Sequence, residues 1–200
     1  MRYKANRLVK TSVRTFDIVE QMSQTDHVRV SELATELETS KGIIHNHLST
    51  LRELGYVRKA DDGYQLSPKL LQLGYQTRSN ARLYTAAHEL LGEFSDRFET
   101  GVVLFEAAGS ECVAVDAHTV SETTTVGVGT SVAVQSSLPG HVIYAQNGDV
   151  DWINSSHQYE LSTISDSVGV QEYAVGPIAS GIPLTCVVSP IVNEGGRLLR

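Results

Sequence analysis

The chain has 200 residues, 41% of them hydrophobic, and 16 Lys and Arg against 23 Asp and Glu give a net charge of −7. That apolar content suits a packed core and excludes wholesale disorder, while no apolar run approaches the roughly 20 residues that would span a bilayer. No apolar signal stretch follows the basic first residues, and Cys112 and Cys186 are too few for a disulfide framework, so a cytoplasmic protein with no membrane partner is expected.

The charge is uneven along the chain. Residues 1–59 carry ten Lys and Arg and seven Asp and Glu, net +3, whereas residues 60–200 carry six and sixteen, net −10. A polyanion would dock on the first segment.

In chain order, Val9, Val13, Phe16, Val19 and Met22 recur every three or four residues and predict one apolar face of a helix. Val28-Arg29-Val30 is a scrap of strand. Ser31 offers an N-cap to a short helix carrying Leu33, Ala34 and Leu37. After a turn at Glu38-Thr39, a third helix begins near Ser40, with Ile44, Leu48, Leu51 and Leu54 as its buried face and Gly55 as its stop. Two β-like runs follow, Tyr56-Val57-Arg58-Lys59 and Tyr64-Gln65-Leu66, and the Asp62-Gly63 pair between them is a hairpin signal. Three helices and a hairpin within residues 1–66 are the order of a winged helix-turn-helix.

Ser67-Pro68 starts a further short helix, with proline in its first position, and Gly74 is expected to interrupt it. A longer helix over 77–98 carries Leu83, Ala87, Leu90, Leu91, Phe94 and Phe98, so 67–98 reads as a stiff helical linker. From Gly101 the chain turns β-rich, with strands expected at 102–105, 112–115, 123–128, 185–188 and 197–200, and short helices at 138–146 and 149–154. Residues 155–169 read as a loop. The fold class is α+β, with an α/β domain over 99–200.

In a helix-turn-helix the second helix lies in the major groove. The residues opposite its apolar face are Lys41, Gly42, His45, Asn46, Ser49 and Thr50. Asparagine can bond an adenine edge, and lysine and histidine can reach guanine acceptors or phosphates. Gly42 would permit close approach. Arg58 and Lys59 on the wing, and Lys10 and Arg14 on the first helix, would hold phosphates. Metal and catalytic readings are weak: His45 and His47 point apart on a helix, and Cys112, His118, His141 and Cys186 lack ligand spacing. No cofactor is implied. A Cys186–His141 nucleophile pair is arithmetically possible, but no oxyanion-hole motif accompanies it.

The stretch 13–74 resembles the IclR family of transcription regulators. The resemblance rests on Ser31-Glu32-Leu33-Ala34, Ser40-Lys41, Ile44-His45, His47-Leu48-Ser49-Thr50-Leu51, Leu54-Gly55-Tyr56-Val57, Gly63-Tyr64 and the run from Leu70 to Gly74. Downstream, residues 136–145 and Val187-Val188-Ser189-Pro190-Ile191 are similar to the family's sensor domain. The resemblance implies a homodimer or dimer of dimers on a near-palindromic double-stranded operator, with a GAF-like domain binding a small organic metabolite, often a carboxylate or an aromatic. It places Ser137, Leu138, Pro139, Glu172 and Cys186 at the effector pocket. Gly42, Ile43 and Asn46 stand where the family usually has Ser, Thr and Arg, so the operator cannot be carried over, and His141 replaces a usual Lys. The family's sensor continues through a strand and helix beyond the position of Arg200, so an incomplete sensor is expected. A regulator that no longer senses an effector, and a small-molecule or thiol enzyme using Cys186, remain as alternatives.

Overall fold

The computed structural model describes residues 5–119, 126–147, 173–179, 182–192 and 198. The chain forms two compact units, 3–77 and 78–200. Among the described residues no helix is long and apolar enough to cross a membrane.

The first unit holds α1 (Lys10–Ser23), α2 (Val30–Glu36), α3 (Lys41–Glu53), the hairpin strands β1 (Val57–Ala60) and β2 (Gly63–Leu66), and the start of α4 (Lys69–Asn80). Its core is one cluster of Ile18, Met22, Val28, Leu33, Ala34, Ile44, Leu48, Leu51 and Val57. The expected face of α1 is corrected. Val9, Val13 and Phe16 are exposed, Phe16 at 66%, and Ile18 with Met22 supplies the buried face. α2 begins two residues earlier than an N-cap at Ser31 implies, with Arg29 as the N-cap, because the Arg29 backbone N–H donates to the Glu32 carboxylate at 2.8 Å and closes the first turn. Ser40 caps α3 as expected, its hydroxyl accepting from Ile43 N at 3.3 Å. Leu54 is exposed rather than buried, since α3 ends at Glu53 and Leu54 is already its C-cap. Gly55 follows with φ +81°, the left-handed stop.

The hairpin forms with Val57 opposite Leu66 and Ala60 opposite Gly63, so Asp61-Asp62 make the turn and Gly63 opens β2. A side chain at Gly63 would stand 2.5 Å from the Val28 carbonyl oxygen, and its φ is +147°. The glycine lets Val28 add a third-strand bridge to Tyr64, with two backbone hydrogen bonds of 2.9 Å. Lys69 donates from Nζ to the Leu54 carbonyl at 2.7 Å, satisfying an open carbonyl at the end of α3.

Gly74 does not interrupt α4. The helix runs through to Asn80 and breaks at Ala81, the extended N-cap of α5 (Arg82–Phe98). The stretch expected as a separate linker is thus divided between the units, and α5 packs on strands β3 (Val102–Ala108) and β4 (Glu111–His118). α5 turns Leu83 and Ser95 inward and leaves Leu90, Phe94 and Phe98 exposed.

Strands β3, β4 and β5 (Ser131–Ala133) form an antiparallel sheet in that order. The strand expected at 123–128 is corrected: residues 126–128 are irregular, the rest of that stretch lies outside the described residues, and the third strand is β5. A 3-10 turn (Val134–Ser136) leads into α6 (Leu138–Asn147), which packs on the antiparallel pair β6 (Ala174–Ala179) and β7 (Ile182–Val188). Gly140 lets this turn lie against the helix, because a Cβ there would stand 2.2 Å from the Val134 carbonyl oxygen. At the end of the chain the described residues show one bridge, Val192 to Leu198. The helix expected at 149–154 and the loop at 155–169 lie outside the described residues.

Candidate nucleic-acid interface and effector pocket

α3 divides cleanly. Ile44, Leu48 and Leu51 are buried in the core, and Lys41, Gly42, His45, Asn46, Ser49 and Thr50 are all exposed. A side chain at Gly42 would meet nothing closer than Ser40 Oγ at 4.0 Å, so the fold does not require glycine there. The Thr50 hydroxyl donates back to the Asn46 carbonyl at 3.0 Å, which commits its proton within the helix and leaves its lone pairs outward. His47 is half-buried, with Nδ1 2.9 Å from Thr15 Oγ1, and ties α3 to α1, so it separates from His45 as expected.

Lys59 and Arg58 are exposed on β1. Arg58 faces Gln65 across the hairpin, and with the Gln65 amide oxygen turned toward the guanidinium it accepts from Nη2 at 2.9 Å. At the wing tip Arg29 pairs with Asp62, Nε lying 3.1 Å from Oδ1. Lys10 opens α1 and is exposed. Arg14 departs from the expected phosphate clamp. It is half-buried and donates from Nη1 to the Leu37 carbonyl at 2.8 Å, closing the C-terminus of α2.

In the second unit Leu138 and Cys186 come together, packed with Val142, Ala174 and Val188. Pro139 is buried and Ser137 is 1% exposed. The Ser137 hydroxyl accepts from Gly140 N at 3.3 Å, the Ser137 carbonyl accepts from His141 N at 3.0 Å, and proline has no N–H. Cys186 donates from Sγ to the Gly176 carbonyl at 3.6 Å, and burial pushes its thiol up, the wrong direction for a nucleophile. His141 is buried with Nε2 2.9 Å from the Gln135 carbonyl. Cys112 is fully buried and its thiol is pushed up to about 12. Glu172 lies outside the described residues.

Sequence reasoning missed a polar node in this unit. Asp116, 1% exposed, holds Arg78 Nη2 at 2.6 Å on Oδ1 and has His88 Nδ1 at 2.7 Å and His118 Nε2 at 3.2 Å on Oδ2. Burial pushes the Asp116 carboxyl up, but hydrogen bonds from His88 and Arg78 outweigh it and leave the carboxyl below its ordinary range. Arg78 also donates from Nε to the Val115 carbonyl at 2.7 Å, at the point where the β3–β4 register slips. The signal was present: Cys112, Ala114, Asp116 and His118 alternate along one face of β4, so an acid and a histidine continue an inward series.

Known proteins share this fold. Residues 16–59 match the family model described as bacterial regulatory protein, arsR family, a helix-turn-helix. The probable HTH-type transcriptional regulator ArcR of Halobacterium salinarum is 26% identical over 144 residues, covering 66% of this chain and 55% of that protein. The HTH-type transcriptional regulator KdgR of Escherichia coli is 27% identical over 89 residues, 44% of this chain and 34% of KdgR. The chain therefore spans about half or less of the curated relatives it matches. Among solved structures, an IclR family transcriptional regulator from Brucella abortus superposes with a TM-score of 0.73 at 20% identity, covering 97% of this chain and 80% of that one. An IclR homologue from Microbacterium hydrocarbonoxydans, complexed with 4-hydroxybenzoate, gives 0.74 at 15% identity, covering 94% and 85%. These structures share the order of winged helix, helical connection and α/β domain seen here.

Proposed function

We propose that this chain, whose fold is that of the IclR-family regulators, is a cytoplasmic transcription regulator that binds double-stranded DNA through α3 and answers to a small organic effector. The observation that carries the reading is the two-sided α3: three core residues on one face, and an exposed face of Lys41, Gly42, His45, Asn46, Ser49 and Thr50 on the other. Base edges are read by side chains of that kind, and exposed Lys10, Arg58 and Lys59 suit phosphates. Gly42 fits close approach, since the fold has room for a larger side chain at that position.

The active form is a homodimer or dimer of dimers. Exposed Val9 at the N-cap of α1, exposed Val13 and Phe16 on α1, and exposed Leu90, Phe94 and Phe98 on α5 are the apolar surface such assembly would cover. Effector binding, at Ser137, Leu138, Pro139, Glu172 and Cys186, would favour one spacing of the two reading heads. Support for an aromatic or carboxylate effector comes from the 4-hydroxybenzoate in the Microbacterium homologue. The thiol-enzyme alternative loses ground on the raised Cys186 thiol.

Selection of bound duplexes from a random pool tests the reading. Enrichment of a two-fold sequence with half-sites about one helical turn apart, or a multiple of it, is expected. A pool that stays random would overturn it. A thermal-shift screen of aromatic and aliphatic carboxylates tests effector binding separately, and uniform lack of stabilisation would leave a regulator that does not sense.

A further inference from the structure

His88, Asp116 and His118 present one ligand atom each, and the three atoms lie within 4.8 Å of one another. We propose that they form a binding site for a divalent transition-metal ion of the zinc class, joining α5 to β4. Two imidazole nitrogens and a carboxylate oxygen are the donor set such ions take. The elements that carry them are regular. Asp116 and His118 project to one side of β4 because they are two apart on a strand, and His88 comes from the packed helix α5.

Three features of the surroundings suit coordination. Arg78 occupies Asp116 Oδ1 and orients the carboxylate, leaving Oδ2 toward both rings. A side chain at Gly92 would come within 3.3 Å of His118 Cε1, so glycine lets that ring lie against α5. The side chains of His88 and His118 are 44% and 24% exposed, so the site opens to solvent on the histidine side, where water would complete the coordination shell. Metal bonds of ~2.0–2.2 Å in a tetrahedral shell set ligand atoms roughly 3.3 Å apart. His118 already stands 3.2 Å from Asp116 Oδ2, and His88, at 2.7 Å, is the exposed ring that can swing outward. Coordination through His88 Nδ1 and His118 Nε2 requires both nitrogens unprotonated, so a neutral ring keeps its proton on the other nitrogen and a charged ring gives one up.

The test is titration of the full chain, stripped with a chelator, by Co²⁺ and then Zn²⁺. Visible d–d bands that saturate at one Co²⁺ per chain and vanish on adding Zn²⁺ are expected. His88→Ala and His118→Ala should each lose the bands, whereas His45→Ala, on the exposed face of α3, should keep them. His88 is a partly exposed helix position, so His88→Ala keeps the fold, and circular dichroism checks this. Zn²⁺ should also raise the Tm of the wild type and leave that of His88→Ala unmoved. Absence of bands in the wild type, bands that survive both triad substitutions, or an intense near-ultraviolet thiolate band placing the ion on a cysteine would each overturn the proposal.

Discussion

The two units bury different things. The first gathers nine apolar residues, from Ile18 to Val57, into one cluster with α3 across its middle. The described part of the second has two clusters of three, and it also buries Asp116, Ser137 and His141. An apolar core fixes geometry through many equivalent contacts, none of which a ligand can replace. A buried polar group depends on a few specific partners, and a change of partner changes its position. The comparison teaches a division of labour: a unit held by one apolar cluster that leaves the outer face of α3 to solvent, and a unit whose interior keeps polar groups by a few specific partners.

The largest effect should come from the apolar side. Ile44→Ala, at a fully buried site, should destabilise the first unit by about 2–5 kcal/mol. Calorimetry of the full chain should show that unit's transition moving while the other stays, and a single shared transition would break the comparison. On the polar side, Arg78→Met leaves Asp116 without its guanidinium. It should cost the second unit about 3 kcal/mol, the lower end for a broken buried pair because two histidines remain. Urea denaturation would check this, and a neutral result would mean that Asp116 is not held as described. Gly63→Ala should cost about 1–3 kcal/mol, since its Cβ would meet the Val28 carbonyl at 2.5 Å and its φ of +147° suits glycine. Smallest are Glu38→Gly and Glu99→Gly. Both glutamates sit at left-handed helix ends, with φ 47° and 48°, and each replacement should gain roughly 0.5 kcal/mol in its own unit.

Cysteine chemistry sharpens the same contrast. With its thiol at about 12 and no exposed surface, Cys112 should resist iodoacetamide from pH 7 to 10, and half-buried Cys186 should be alkylated first. Mass spectrometry of the native protein decides the order.

How much of this was legible depended on how many partners each residue has. Ile44, Leu48 and Leu51 could be read from spacing because they make the only apolar stripe among otherwise polar neighbours such as Lys41, His45, Asn46, Ser49 and Thr50. Val13 and Phe16 misled the reading because α1 carries two apolar stripes, and spacing alone does not say which one the chain itself covers. α5 repeats the problem, with Leu83 inward and Leu90, Phe94 and Phe98 outward. Propensity alone predicts a break at Gly74, yet the helix continues through it and yields at Ala81. The exposed residues of α3 were recoverable as the complement of its core face. Arg14 was not, since its partner is a backbone carbonyl 23 residues away. The alternation along β4 marks Asp116 and His118 as inward, but Arg78 on α4 and His88 on α5 escaped for the same reason as Arg14: they meet Asp116 from 38 and 28 residues away, through packing that no local pattern announces.

The central claim is that α3 reads DNA sequence and the wing holds its backbone. Fluorescence anisotropy tests it most directly, with a short fragment from upstream of the protein's own gene and a scrambled control, across a range of salt. The account predicts tighter binding of the upstream fragment and loss of that preference in Asn46→Ala, worth about 1–3 kcal/mol. Arg58→Ala should weaken both fragments alike and reduce the salt slope by about 1. No binding of either fragment at any salt, or a preference that survives Asn46→Ala and the loss of Lys41 and His45 together, would contradict it.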